Sequence, residues 1–521
     1  MNMSRQDPRG TGGFRPGERI AFGRGMGGPA VPATAPPAVE SARRSAPAAT
    51  GRLRASSARE RRDWAYLGLV AFTAILFFRP QDVFPPLEAL HLAEISAIVG
   101  LGAMINGRLA RREPMLPLVP EVVGVLVFAG IMLALVPFSI WPGGSLEMLL
   151  GLYVKVVLIF ILMAGTLTTA PRLERLIWLI VLASAYLGFR GVLDYARGIN
   201  LVENGRVAGA VGGVFNNPND LALAMVAFFP LALLLAARRQ RPAGRLLAGV
   251  ASVLMFATVV FTKSRGGFLG MGAMLLVLLV QGGKVRRGLG LGILVAVLVT
   301  LPLLPASFWA RMQSITDDSV DPTGSRDARR TVMTEAWQAF LDRPLTGVGP
   351  GEFKDYNPGW RRERSREAHD VWLQVASETG LFGALVFLAL VGMAARDAWS
   401  TSRLLSRTGQ SAARGTRDTG QRTRGQQPAT TPGPAHTSRP GAPPITARAP
   451  GGDARAIAHL CSTAMTASIV GWIVCATFAS VAYTWTFYYV FGIAMATRQI
   501  AAGATAPARR PFAPAQPSIA A

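Results

Sequence analysis

An arginine beside paired glycines is the first residue of this chain whose surroundings suggest chemistry. Residues 261–268 (FTKSRGGF) form a tight connection between two apolar runs. An arginine held there presents a planar fork to phosphate oxygens, which lysine cannot reproduce. The glycines let another backbone or a bulky ligand approach Arg265 closely. An alternative is that Lys263 and Arg265 only extend to a membrane interface, so the pattern indicates a phosphate contact or an interfacial anchor.

One of the four histidines has a setting that suits acid–base chemistry. His369 lies in residues 367–372 (EAHDVW), at the predicted outer mouth of the tenth apolar run, where an imidazole meets both water and membrane. An imidazole near its ordinary pKa can accept a proton from a hydroxyl group at neutral pH. His436 lies in a polar linker and His459 enters a run from the opposite side, while His91 is predicted to be packed or hydrogen-bonded in the core.

A carboxylate and an ammonium group lie deep in two of the apolar runs. Glu94 belongs to the second run and Lys155 to the fourth. Charges at that depth are costly unless they are paired or face water. We expect Glu94 and Lys155 to form an ion pair that braces a cavity.

The elements that must position these residues are membrane spans. The chain has 521 residues, of which 50% are hydrophobic and 16% are charged, whereas a soluble domain carries about a quarter charged residues. Apolar runs long enough for spans predict an all-α polytopic membrane protein of about twelve helices. The runs lie at 64–78, 87–106, 118–138, 146–168, 173–193, 217–237, 244–262, 266–281, 288–305, 370–394, 457–478 and 481–498.

Basic residues concentrate in alternate connections, which predicts the orientation. Twelve spans place both termini in the cytoplasm, with the basic tail 1–63 and the Arg-rich linker 396–455 on that side. Both segments are predicted to be disordered. They flank a bundle at 64–395, the last two helices at 456–498 and a tail at 499–521. The net charge of +24 is therefore interpreted as basic segments that fix the topology or contact anionic lipid. Because neither basic segment has interleaved aromatic residues, nucleic-acid binding is not expected.

Two outer connections, 194–216 and 306–369, carry arginines that the charge rule would place elsewhere. Long loops follow that rule weakly; alternatively, the outer face needs cations to hold an anion. The larger loop contains apolar residues at helical spacing between Asp327 and Leu341. We expect this helix to lie on the outer membrane surface and cover a cleft. Arg326, Arg329 and Arg330 cluster at its start, and residues 347–351, the glycine-rich strap, follow its end.

Cys461 and Cys475 share one apolar run, where they would lie about 21 Å apart along a helix and could not form a disulfide with each other. They are interpreted as small packing residues. No cluster with metal-ligand spacing stands out, so neither a metal nor another cofactor is expected.

Four segments together resemble the O-antigen ligase and polymerase-like superfamily, the Wzy/WaaL group that includes bacterial protein O-oligosaccharyltransferases. The likeness covers roughly residues 200–395, and elsewhere only the hydropathy is similar. The segments are Asn204-Gly205-Arg206-Val207 with Phe215-Asn216-Asn217-Pro218-Asn219-Asp220-Leu221-Ala222; Ser264-Arg265-Gly266-Gly267; Trp337 through Gly351; and Ala368-His369-Asp370 with Glu378-Thr379-Gly380-Leu381.

The resemblance implies a GT-C-like bundle in the bacterial inner membrane, with its large periplasmic loop between spans nine and ten. It implies metal-independent transfer of a glycan from undecaprenyl diphosphate to a hydroxyl of lipid A-core or protein, as in lipopolysaccharide biosynthesis. Arg206, Arg265 and Arg326 would bind the diphosphate, and His369 would contact or activate the acceptor. Asn219, Asp370 and Glu378 would support them. Family members often have asparagine after the histidine, whereas this chain has Asp370. This difference could allow a carboxylate–imidazole pair between Asp370 and His369.

Three functions are compatible with these residues. A ligase attaches a finished glycan to its acceptor, whereas a polymerase joins repeat units and uses the same donor. A transporter without chemistry is the third, although transporters usually show internal repeats and polar residues at mid-membrane. Here no repeat is visible and the candidate residues lie at one predicted face.

Overall fold

The computed structural model describes residues 63–202, 205–209, 212–238, 241–281, 325–357, 367–424 and 450–505, with six isolated positions between 291 and 313. This part of the chain is helical, apart from one short two-stranded sheet. The predicted ninth span, 288–305, and the tails 1–62 and 506–521 lie outside the described ranges, as do residues 425–449 of the predicted linker.

Most of the described helices follow the predicted apolar runs in order, and the second and eleventh lie in connections between them. The helices are α1 (Trp64–Phe78), α2 (Pro80–Val83), α3 (Leu92–Ala110), α4 (Pro120–Leu135), α5 (Pro142–Met148), α6 (Val154–Thr166), α7 (Ala170–Arg197), α8 (Pro218–Ala237), α9 (Pro242–Phe261), α10 (Arg265–Gln281), α11 (Ser325–Asp342), α12 (Val371–Arg424), α13 (Pro450–Ala476) and α14 (Trp485–Thr505). Leu149–Tyr153 forms a π-helical turn between α5 and α6. The strands β1 (Leu201–Val202) and β2 (Arg206–Val207) pair antiparallel.

Eight of the described helical segments are long and apolar enough to cross a membrane. The helix over 265–281 is apolar but shorter, and α1 has only 15 residues. The expectation of a helical multi-pass membrane protein is therefore confirmed, while the total of twelve spans stays a prediction.

Helix α8 lies at the centre of the bundle, because 83% of its most apolar window is buried inside the protein. Its Phe228 ring stacks on Trp485 of α14, and Phe77 of α1 lies 4.8 Å from the same indole, centroid to centroid. Phe215, just before α8, contacts both Phe77 and Trp485. This aromatic cluster connects the first and last described helices and the loop that carries Arg206.

Ion pairs connect the helix ends that the charge pattern assigns to the cytoplasm. Glu121 of α4 accepts 2.7 Å hydrogen bonds from both Arg396 of α12 and Arg498 of α14. Arg498 also pairs with Asp397, at 3.0 Å. Because both carboxylates are fully buried, the arginines compensate charges that would otherwise oppose folding.

Helix α12 continues past the predicted end of span ten at 394, through to Arg424. Asp397 takes part in the ion pairs, and Leu405 packs against Ala458 and Ala501. These contacts order residues that the sequence assigns to a disordered linker, so the predicted linker begins too early.

The opposite end of the bundle, here called the outer end after the predicted topology, collects the other set of connections. The Gly212 amide donates to Asp82, and the Ile140 amide donates to Val348, each at the distance of a normal hydrogen bond. Connection 79–86 therefore meets 194–216, and connection 139–145 meets 306–369, as the predicted grouping requires. Which end faces the cytoplasm stays a prediction.

Candidate active site at the outer end

Arg206 is held in a buried position by two hydrogen bonds from different edges of its guanidinium group. It belongs to β2, where it pairs with Val202, and is only 6% exposed. Its Nε donates to the Thr262 carbonyl at 3.0 Å, and its Nη2 donates to Asn219 Oδ1 at 2.7 Å. The strand pair therefore brings the arginine to the connection between α9 and α10.

Asn219 connects Arg206 to the segment that carries Arg265. Its Oδ1 also accepts from Ser264 Oγ, at 3.0 Å. The same hydroxyl accepts from the Gly267 amide at 3.2 Å, which satisfies an N–H group in the first turn of α10. Asn219 itself lies in the first turn of α8, where Asn217 accepts from its amide. One amide side chain thus links the Arg206 guanidinium to the residue beside Arg265.

Arg265 is the first residue of α10 and is half-buried. Lys263, two positions earlier, is buried and has a positive φ of 47°. Three cationic side chains, those of Arg206, Lys263 and Arg265, are therefore anchored on neighbouring backbone at the outer end. Such an arrangement can bind an anion with more than one oxygen.

The glycines after Arg265 serve close helix packing. A methyl group at Gly266 would lie 2.9 Å from Phe478 Cβ, and one at Gly267 would lie 2.7 Å from Ala222 Cβ. The sequence predicted that another backbone or a ligand would approach these glycines. The side chains of Phe478 and Ala222 occupy the space beside them. The glycines thereby bring the start of α10 against α8 and against the segment after α13.

His369 stands just before α12 in a left-handed backbone conformation, with φ of 50°. Its amide donates to Ser480 Oγ at 2.9 Å, and the residue is half-buried. Asp370 Oδ1 accepts from the amides of Trp372 and Leu373, both at 2.9 Å, so this carboxylate caps the helix. The pairing of Asp370 with the imidazole remains a hypothesis, whereas its capping role is visible.

Residues 475–480, at the end of α13 and beyond, bring the arginine and histidine segments together. Cys475 Sγ donates to the Gly266 carbonyl at 3.4 Å, and Phe478 packs on Gly266. Ser480, two positions later, receives the His369 amide. The Arg265 and His369 segments therefore lie at the same end of the bundle, in contact with one short stretch. Sequence reasoning treated 479–480 only as a connection and missed Ser480.

Glu378 organises the glycine-rich strap. Its Oε2 accepts from the Gly351 amide at 2.9 Å, and its backbone carbonyl accepts from Gly349 at 3.0 Å. Gly347, Gly349 and Gly351 all have positive φ, and a methyl group at Gly347 would overlap the Glu378 carbonyl. Only glycine fits this close approach, so the supporting role expected for Glu378 takes the form of strap anchoring.

Helix α11 confirms the amphipathic segment predicted within the large loop, but its apolar residues divide between two faces. Val332, Ala336 and Ala339 are buried in a small core with Val348, Phe353 and Ala368. Met333, Trp337 and Leu341 are exposed. The backbone of Arg326 lies in this helix, while its side chain is outside the described part of the structure. Its proposed phosphate contact is therefore untested.

Two further predictions concern the second and fourth spans at this end. Lys155 Nζ lies 2.7 Å from Glu94 Oε1, so the predicted ion pair is confirmed. The prediction that His91 is a core residue is wrong: its side chain is 71% exposed, with Nδ1 3.7 Å from the same Glu94 oxygen. The chain turns at His91 in a left-handed conformation between a 3₁₀ segment and α3, which directs the side chain outward.

Glu352 is a buried carboxyl group that sequence reasoning missed. It lies just after the strap and is 1% exposed. Burial, together with the neighbouring Asp355 carboxylate, raises its pKa to about 7. Among the described residues, no group of three His, Cys, Asp or Glu side chains is placed to hold a metal ion.

Residues 250–388 match the O-antigen ligase family, Wzy_C. The superfamily resemblance seen in the sequence is thereby confirmed. The matched segment contains Arg265, the strap, His369 and Glu378, whereas Arg206 and Asn219 precede it. The match supports a ligase-like or polymerase-like membrane glycosyltransferase that acts on lipid-linked glycan and an acceptor. No curated protein matches the chain significantly.

Proposed function

We propose that this protein is an O-antigen ligase-like glycosyltransferase of the bacterial inner membrane. It transfers a glycan from undecaprenyl diphosphate to a hydroxyl of lipid A-core or protein on the periplasmic face. The observation that carries the proposal is the Arg206–Asn219–Ser264 network beside Arg265, at the same end of the bundle as His369.

The reaction breaks the bond between the first sugar carbon and the diphosphate oxygen, and forms a bond from that carbon to the acceptor oxygen. The diphosphate leaves with an added negative charge. Arg206 and Arg265 stabilise this charge from fixed positions, which is the most effective way for a protein to lower such a barrier. Because Arg206 is buried and already oriented, little reorganisation is needed when the charge develops. In this mechanism the arginines, rather than a metal ion, stabilise the departing diphosphate.

His369 accepts the proton of the acceptor hydroxyl as the new bond forms. Its backbone is fixed by Ser480 and by the start of α12, and Ser480 lies two residues after Phe478, which packs on Gly266 in the Arg265 segment. Asp370 holds the first turn of α12 and thereby positions the histidine.

The chain length of the glycan left on the lipid distinguishes the proposed ligase from its alternatives. In a deletion strain, lipid-linked polymer should accumulate while the acceptor stays unmodified. Accumulation of single repeat units would indicate a polymerase instead. Loss of glycan from the outer face, with intact lipid-linked material retained inside, would indicate a transporter.

A His369→Ala variant tests the active site directly. We expect normal membrane insertion and loss of transfer of about 100-fold, the size typical of a missing general base. Arg111→Ala is the matched control, because Arg111 is 63% exposed and pairs only with nearby Glu113 among the contacts described. Full transfer by the His369 variant would remove this residue from the mechanism.

A further inference from the structure

A cavity of about 480 Å³ opens at the outer end between α1, α3 and α6, and its lining does not include the Arg265 or His369 segment. Its deeper wall is apolar and includes Phe72, Leu76, Leu152, Val156 and Ile159. A site of this size with mostly apolar walls is of the kind that binds an apolar ligand. The mechanism above does not use it.

Helices α1 and α3 pack closely on the side of the cavity that faces away from the outer end, and they leave the cavity between them on the other side. A methyl group at Gly68 of α1 would lie 2.5 Å from Gly100 Cα of α3, so the two helices touch at this point. Farther along both helices toward the outer end, their side chains line the cavity. The third wall contains the π-helical turn at Leu149–Tyr153, a feature often found at functional sites. Gly151 in this turn has open space beside it.

Four charged side chains at the rim form two ion pairs, and the Glu88 carboxylate also lines the cavity. Arg79 Nε lies 2.7 Å from Asp82, and Lys155 Nζ lies 2.7 Å from Glu94. His91 Nδ1 faces the same Glu94 carboxylate. A lipid phosphate bound at this rim would have to displace Asp82 or Glu94. The rim therefore favours an uncharged chain whose anionic group is bound elsewhere.

The inner wall of the cavity belongs to the loop that carries Arg206. Phe215 and Gly212 line the cavity, and the Gly212 amide donates to Asp82 at 2.7 Å. The same loop continues through Gly209, whose amide bonds the Phe215 carbonyl, back to Arg206 in β2. A diphosphate at Arg206 and an apolar chain in the cavity would thus contact the same short loop.

We propose that this cavity binds the isoprenoid chain of the lipid-linked donor while the arginines hold its diphosphate. This inference rests on the proposed function, since it assigns a place to the lipid part of that donor. It accounts for a cavity that is apolar within, has both of its rim cations paired with carboxylates and borders the Arg206 loop.

Photolabelling of the full-length protein locates the chain independently of transfer. The probe is a polyprenyl diphosphate without sugar that carries a diazirine in its chain, and labelled peptides are mapped by mass spectrometry. We expect labelling in residues 152–159 and 72–76. Gly151→Leu fills the open space in a turn already flanked by leucines and should reduce this labelling at least fivefold.

Gly130→Leu is the matched control, because Gly130 is also an exposed helical glycine with nothing within 4 Å of its added methyl group. It should label like the unmodified protein. Equal labelling of the two variants, or labelling confined to α8–α10, would overturn the assignment. The assignment would also be overturned if phosphatidylethanolamine competed with the photoprobe as strongly as unlabelled polyprenyl diphosphate does.

Transfer assays with two donors separate this inference from the proposed function. With a long-chain donor, Gly151→Leu should raise the KM at least fivefold, whereas a donor with two isoprene units should show no change. Equal effects on both donors would contradict a chain site. Specific labelling of the cavity in a protein that transfers no glycan would support the chain site and reject the proposed glycosyltransferase.

Discussion

Replacement of Arg206 by lysine tests whether the planar fork, rather than the positive charge, is what the site needs. The guanidinium group donates from Nε to the Thr262 carbonyl and from Nη2 to Asn219. A lysine ammonium is a single point on a flexible stem and cannot occupy both donor positions. We therefore expect Arg206→Lys to lose at least one charged hydrogen bond in a buried setting.

The expected magnitude follows from that loss. A hydrogen bond from a charged donor contributes about 1.5–3 kcal/mol, so stability should fall by roughly that amount. If the donor diphosphate relies on the same geometry, a similar loss in the transition state lowers the rate by about 10- to 100-fold, because each 1.4 kcal/mol is tenfold. Arg206→Ala, which also removes the charge, should lower the rate by about 10²–10³.

The assay is transfer by purified protein in vesicles, with kcat and KM measured separately, beside thermal unfolding of each variant. If Arg206 acts mainly on the departing diphosphate, kcat should fall more than KM rises. Arg111→Lys is the matched control, because this exposed arginine pairs with Glu113 two residues away.

Unchanged transfer by Arg206→Lys, with lowered thermal stability, would show that the fork serves the fold alone. Unchanged transfer and unchanged stability together would refute the reasoning from the two hydrogen bonds. A double-mutant cycle of Arg206→Ala with Asn219→Ala should give a coupling energy of about 1–2 kcal/mol, because the two residues are in direct contact.

Three further predictions concern stability and the strap. Glu121→Ala should destabilise the protein by about 1.5–3 kcal/mol in unfolding experiments, because it removes the buried carboxylate shared by two arginines that are partly exposed and keep Asp397 as a partner; a change below about 0.5 kcal/mol would contradict this account. Gly347→Ala should abolish most transfer and lower the unfolding temperature, since its φ is 66° and the methyl group would overlap the Glu378 carbonyl, whereas Gly130→Ala should be neutral. Glu352 has a folded pKa raised to about 7 from 4.5, so the folded state holds a proton that the unfolded state releases; stability should fall as the pH rises from about 4.5 to 7, and Glu352→Gln should reduce that slope. A slope that is unchanged in this variant would assign the titration to other groups.

Much of the fold could be predicted because membrane spans are long apolar runs, and the residues of each run themselves determine where its helix forms. Helices such as α4 and α9 begin at prolines that suit a first turn, and their boundaries lie within a few residues of the predicted runs. The contacts of Glu121 with Arg396 and of Asp82 with Gly212 each join connections that the basic residues assign to the same end. The predicted Glu94–Lys155 pair was found for the same reason, since a deep charge needs a partner.

The contacts of the candidate site could not be predicted in the same way. Asn219 and Ser264 are 45 positions apart, and His369 and Ser480 are 111 positions apart. Nothing in their local sequence specifies these partners, because each contact depends on how three or four helices pack. Glu352 was missed because its burial comes from the folding of the strap against α5 and α12.

The amino-acid sequence by itself determined the helical membrane character, the alternation of basic ends and the residue types available for phosphate and proton chemistry. These properties depend on local composition and on the cost of placing charge in lipid. Only the tertiary structure decided that Arg206 shares Asn219 with the Arg265 segment, that Asp370 caps a helix and that a cavity lies beside the Arg206 loop. Those features arise from close approach of distant segments, which packing determines and local pattern does not.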